Sequence, residues 1–130
     1  MPIKLSYTKD GGILAVGSGI LTGQEVKDVN AEVYKTPQMI KAIAYQLVDF
    51  SEVTKLEATA SEVEDLARQD EEAARINPDM FIALVGKDDL IYGMSRMWEG
   101  LASSAPIETM VFRKLGDAKK WIKEKLNKET

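Results

Sequence analysis

The chain has 130 residues, 45% of them apolar, which suits one compact domain over residues 1–130 with a real core. It has no cysteine and no histidine. Those absences exclude thiol nucleophiles, Ser-His and Cys-His triads and nearly all zinc sites, so neither a metal nor a cofactor is expected. The net charge of −4 argues against general nucleic-acid binding, which wants a basic stripe. It is unevenly spread: residues 49–80 carry ten acids and three bases, and residues 113–130 carry seven bases and three acids.

In chain order, Ile3–Tyr7 alternates apolar and polar residues, as a half-buried strand does. Lys9-Asp10-Gly11-Gly12 supplies a hairpin turn into a second strand, Ile13–Ile20. Thr22 with Glu25 forms a capping box ahead of a helix whose apolar stripe is Val26, Val29 and Val33. Pro37 stops that helix or follows its end.

A third strand spans Ala42–Asp49 and is nearly continuous in apolar residues, as buried central strands are. A helix follows from about Ser61 to Arg75 and is broken at Asn77-Pro78. Met80–Val85 is a fourth strand. Asp88 or Asp89 caps a helix carrying Ile91, Met94, Trp98 and Leu101, closed by the segment ending in Pro106. Ile107–Phe112 is the fifth strand, and a last helix runs from about Gly116 to Asn127. The order β-β-α-β-α-β-α-β-α predicts an α/β single domain, with a five-stranded mixed, mostly parallel sheet flanked by about four helices.

Few motifs carry chemistry. Gly17-Ser18-Gly19-Ile20-Leu21-Thr22-Gly23 has the wrong spacing for a dinucleotide fingerprint, because Thr22 stands where the third glycine belongs. Asp70-Glu71-Glu72 and Asp88-Asp89 read as solvated surface and caps, since neighbours on a helix point around it rather than together. Met80, Met94, Met97 and Trp98 form a group suited to lining an apolar pocket, although a stripe at helical spacing is more often plain core. At the start of the second long helix, Thr59 has Glu62 three residues ahead and Ser61 has Glu64. Both are capping boxes and only one can be the cap, which leaves one hydroxyl free.

The run Val48-Asp49-Phe50-Ser51-Glu52-Val53-Thr54-Lys55-Leu56-Glu57-Ala58-Thr59 resembles the central signature of STAS domains, roughly V-D-L-S-x-V-x-x-[ILM]-D-S-S. Gly19-Ile20-Leu21-Thr22 and the ending Val111-Phe112-Arg113 with Ala118 to Ile122 look like the matching elements of the SpoIIAA-like, or STAS/SEC14-like, branch. The resemblance departs at Glu57, Ala58, Thr59 and Ala60, where the pattern has aspartate, serine, serine and often glycine. It implies a non-enzymatic regulatory module that binds a protein partner, and the lack of an apolar run after MPIKLSYTKDGG makes a cytoplasmic location the expectation. Its surface would be the Asp49–Asp65 loop and helix start, with Asp49, Ser51, Glu57, Glu62 and Asp65 as contacts and Thr59 or Ser61 as phosphoacceptor. The branch also permits a SEC14-like carrier of a small apolar or lipid ligand in the Met80, Met94, Met97 and Trp98 pocket. No run is long and apolar enough for a membrane span. The acidic middle and basic end invite a homodimer in which one patch meets the other across a two-fold axis.

Overall fold

The computed structural model describes residues 2–103 and 105–128. Strands β1 (Ile3–Tyr7) and β2 (Gly12–Thr22) form the expected antiparallel hairpin. Its turn holds Gly11 at φ 84°, a left-handed conformation that glycine adopts without steric cost. Helix α1 (Gly23–Val33), α2 (Pro37–Lys41), β3 (Tyr45–Glu57), α3 (Ala60–Ile76), β4 (Phe81–Val85), α4 (Asp89–Ala102), β5 (Glu108–Phe112) and α5 (Leu115–Lys128) follow. The sheet order is β1-β2-β3-β4-β5, and every pair after the first is parallel. The expected mixed, mostly parallel α/β sheet is therefore present, flanked by five helices rather than four.

The additional helix is α2. Thr36 accepts a hydrogen bond from the Met39 N–H and Pro37 takes the first helical position, where its missing N–H costs nothing. Pro37 thus follows the end of α1, as one of the two expected placements has it, and begins a helix of its own.

Two cores lie on opposite faces of the sheet. The larger packs Val33 of α1, Val63 and Ala67 of α3, and Ile91 and Trp98 of α4 against β-strand residues such as Phe50, Val53, Ile82 and Leu84. The smaller packs Ala118 and Ile122 of α5 on Tyr45, Leu47, Phe81, Ala83 and Val85.

The third strand does not end at Asp49. It runs to Glu57, and beyond Asp49, which is in register with Val85, it pairs with β2 alone. Two register shifts break this β2–β3 ladder, one between Val16 and Ser18 and one between Gly19 and Ile20, where Gly19 adopts φ 67°. The shifts explain why Phe50, Val53 and Leu56 all turn to the larger core although they are spaced by three rather than two. The segment expected as a loop is therefore a bulged strand that projects past the rest of the sheet.

Candidate functional site

The long β3 delivers the chain to the start of α3 at this projecting rim. Thr59 caps α3: its Oγ1 accepts from the Glu62 N–H at 3.1 Å, and the Glu62 carboxylate accepts from the Thr59 N–H at 2.9 Å. Thr22 and Glu25 make the same reciprocal pair at the start of α1. The two helix starts are neighbours, because Thr22 is in register with Glu57 and a Cβ on Gly23 would come within 2.7 Å of the Glu62 carboxyl carbon. Only a glycine lets Glu62 lie across the entrance to α1.

The competition between the two capping boxes is thus resolved for Thr59. Ser61 is exposed in the first turn of α3, and its hydroxyl makes no hydrogen bond among the described residues. Thr59→Ala is expected to cost about 1 kcal/mol, the usual loss for an N-cap, and Ser61→Ala to fall within about 0.5 kcal/mol of the parent. Urea titrations of both variants check the pair. Equal losses would mean that Thr59 is not the cap.

The structure separates the five expected contact residues. Glu57 is exposed at the rim. Glu62 is half-buried and committed to its cap. Asp65 bridges to Lys27 at 2.9 Å and Arg68 at 3.2 Å, and the Lys27 hydrogen bond holds its carboxyl below the usual range. Ser51 is half-buried and donates both its N–H and its hydroxyl to the Asp49 carboxylate, at 3.0 and 2.6 Å. Asp49 itself is only 7% exposed and points to the α5 face of the sheet beside Val85. Asp49 is therefore a buried brace for the strand, not a surface contact. The exposed residues of the region are Glu52, Thr54, Lys55, Glu57, Thr59, Ala60, Ser61 and Glu64.

The methionine and tryptophan group does not converge. Met80 is 1% exposed and touches the Gln46 amide, and Met97 faces outward from α4. Met94 and Trp98 line a cavity of about 70 Å³ between the sheet and α1, α3 and α4, together with Val48, Phe50, Leu66 and Leu84. That volume holds two or three waters and is well below the roughly 300 Å³ at which small-ligand pockets begin. The cavity as it stands has no room for a lipid.

Beside the cavity is a feature that the sequence concealed. Asp70, within the acidic run expected at the surface, is 4% exposed. Trp98 Nε1 donates to its Oδ2 at 2.7 Å, and the Tyr34 hydroxyl donates to its Oδ1 at 2.7 Å. Gln46 in turn donates to the Tyr34 oxygen at 2.6 Å, tying β3 to the network. Burial pushes the Asp70 carboxyl up to about 6 despite the two hydrogen bonds, which act the other way.

The acidic and basic patches lie on α3 and α5, which cover opposite faces of the sheet. Among the described residues no helix is long and apolar enough to cross a membrane, and no group of three or more Asp or Glu could hold a metal ion.

The sheet is five-stranded and in sequential order, and its long third strand feeds a capped, exposed helix start. The chain superimposes on the phosphorylated form of the Bacillus cell fate determinant SpoIIAA with a TM-score of 0.62 at 12% identity, covering 92% of this chain and 98% of that one. It also matches the anti-sigma factor antagonist SpoIIAA in its unphosphorylated form, with a TM-score of 0.53 at 13% identity, over 93% and 97% of the two chains. No family model matches the sequence, and no curated protein matches it significantly. At these identities the likeness establishes the fold.

Proposed function

We propose that the chain is a non-enzymatic, STAS-like regulatory module that docks a protein partner on the rim formed by the end of β3 and the start of α3, and that phosphorylation of Ser61 switches the docking. The observation that carries this reading is the free, exposed Ser61 hydroxyl beside an engaged Thr59 cap. It stands on a fold that matches, over nearly its whole length, a protein solved with and without phosphate. A phosphate adds about −1.5 to −2 charges and would meet Glu57, Glu62 and Glu64, with Lys55 as the nearby base in sequence. It would transform the rim electrostatically without being held by it, which suits a signal that repels a partner rather than one that reshapes the domain.

The test is affinity capture from host extract with the parent, Ser61→Ala and Ser61→Glu proteins, quantified by mass spectrometry. A partner held by the first two and reduced roughly tenfold or more by Ser61→Glu is expected, since like charges brought together at an interface cost several kcal/mol. Any phosphate found on the native protein should map to Ser61. Identical capture by all three proteins would remove the switch.

A further inference from the structure

The cavity beside Asp70 is walled mostly by apolar side chains such as Val26, Val48, Phe50, Leu84 and Met94, and its polar groups share one property. Each side-chain polar hydrogen is already spent. Trp98 Nε1 and the Tyr34 hydroxyl donate to the Asp70 carboxylate. Gln46 Nε2 donates to the Tyr34 oxygen at 2.6 Å and the Met80 sulfur at 3.5 Å. Asn30 Nδ2 donates to Gln69 at 3.2 Å and Asp70 at 3.4 Å, and the Ser95 hydroxyl donates to the Ile91 carbonyl at 2.7 Å. What remains is acceptors. Gln46 is 5% exposed and stands between this cavity and an adjoining recess of about 20 Å³. Its carbonyl oxygen receives no hydrogen bond among the described residues and is not sealed by protein, so it is left to that space. Asp70 meets neutral donors alone, whereas a buried carboxylate ordinarily has a countercharge.

We infer that this cavity binds a small primary alkylammonium ion, with its charged nitrogen on Asp70 and the Gln46 carbonyl and its carbon against the apolar wall. An ammonium group brings three donors and no acceptor, which is what a lining of acceptors needs. A carboxylate, phosphate or carbonyl guest would find no donor, and an anion would also meet Asp70. A bare hard cation takes about six or more oxygens, which these side chains do not supply. The volume of about 70 Å³ limits the enclosed guest to the size of methylammonium or ethylammonium. Leu56, Ala58 and Leu66 in the wall are half-exposed, which gives such a guest a short way in. The guest recognises the ionised carboxyl. Burial keeps Asp70 protonated up to about 6, so binding strengthens as pH rises through that value. The groups around Asp70 do not titrate with it. Asn30 of α1, Gln46 of β3 and Trp98 of α4 are uncharged, and burial pushes Tyr34 upward. The nearby charges of α1 and α4 are engaged elsewhere, Lys27 by Asp65 and Arg96 by Glu99. The site stands independently of the rim at Ser61.

An NMR titration of the full chain with ethylammonium chloride at about pH 7.5 tests it, against potassium chloride and sodium acetate at equal ionic strength. The Trp98 indole N–H signal should shift and saturate with a midpoint of roughly 1–10 mM, the range open to a guest of about three heavy atoms. The Trp121 signal, from the other face of the sheet, should stay in place. Ethylammonium should raise the melting temperature by several degrees at that pH and leave it unchanged at about pH 4.5, where Asp70 is neutral. Asp70→Asn should weaken binding tenfold or more. Ala58→Leu, which narrows the way in and leaves the carboxyl untouched, should do the same, and it decides the matter if Asp70→Asn does not fold. The inference is overturned if Trp98 shows no saturable shift up to about 0.1 M ethylammonium. It is equally overturned if potassium or acetate produces the same saturable shift, or if binding is undiminished at about pH 4.5.

Discussion

Raising the pH from about 4 to about 7 is expected to lower the stability of the folded chain by about 3 kcal/mol, and Asp70→Asn is expected to abolish most of that slope. The direction follows from which state holds the proton. Asp70 ordinarily titrates near 3.8 in the unfolded chain and at about 6 in the fold. Between those values the native state binds the extra proton. The stabilisation from keeping Asp70 neutral is complete below about 3.8 and disappears as pH rises through about 6. A gap of about two units corresponds to about 3 kcal/mol. Tyr34, the titratable group in contact with Asp70, is itself pushed upward by burial and stays neutral throughout this range. Asp10 and Asp65 are shifted the other way, Asp10 chiefly by the Thr8 hydroxyl and Asp65 by Lys27. Their contributions fall only below their usual range, so they do not oppose the slope above it. Urea unfolding at several pH values for parent and Asp70→Asn measures the difference. Parallel curves for the two proteins would show that Asp70 is not the source.

Phe81→Ala is expected to cost about 3–5 kcal/mol, the range for removing a buried aromatic ring. Phe81 is 1% exposed and sits at the centre of the smaller core. Its ring stacks on Tyr45 with centroids 5.7 Å apart and meets Trp121 of α5 edge-on at 5.5 Å. The α5 face has no second helix to share the loss, so the void opens directly beneath the one helix that covers it. A domain of this size has about 5–15 kcal/mol in total, so the variant should unfold at a much lower urea concentration. Trp121 fluorescence should change with or before the helical signal. A shift worth less than about 1.5 kcal/mol would mean that the α5 layer contributes little to holding the sheet.

Much of this architecture is legible in the sequence because local and global signals agree. Thr22 and Glu25 announce α1, Met80–Val85 reads as a buried strand, and the alternation of strands and helices forces a mostly parallel sheet. The misreadings have physical causes. Glu52, Lys55 and Glu57 interrupt the apolar run and suggest a loop, yet the bulges near Ser51 and Thr54 reset the alternation, so the strand continues with a spacing that neither period describes. Asp49 matches a surface motif by type and is buried by its place in the sheet. Asp70 is indistinguishable from its acidic neighbours because its partners, Tyr34 and Trp98, are 36 and 28 residues away. A tyrosine and a tryptophan in the helices on either side are the only hint of its burial. The Thr59–Ser61 ambiguity could not be resolved from spacing, since both boxes are chemically sound and only the path of the chain out of β3 selects one.

The overhang of β2 and β3 beyond their neighbours has a mechanical consequence. Along Gly19–Thr22 and Glu52–Glu57 each strand is zipped to the other and to no third strand. Prying this lip apart severs a single ladder and leaves the β3–β4 and β4–β5 seams closed. An opening confined to this lip therefore spares the ladders that hold the rest of the sheet.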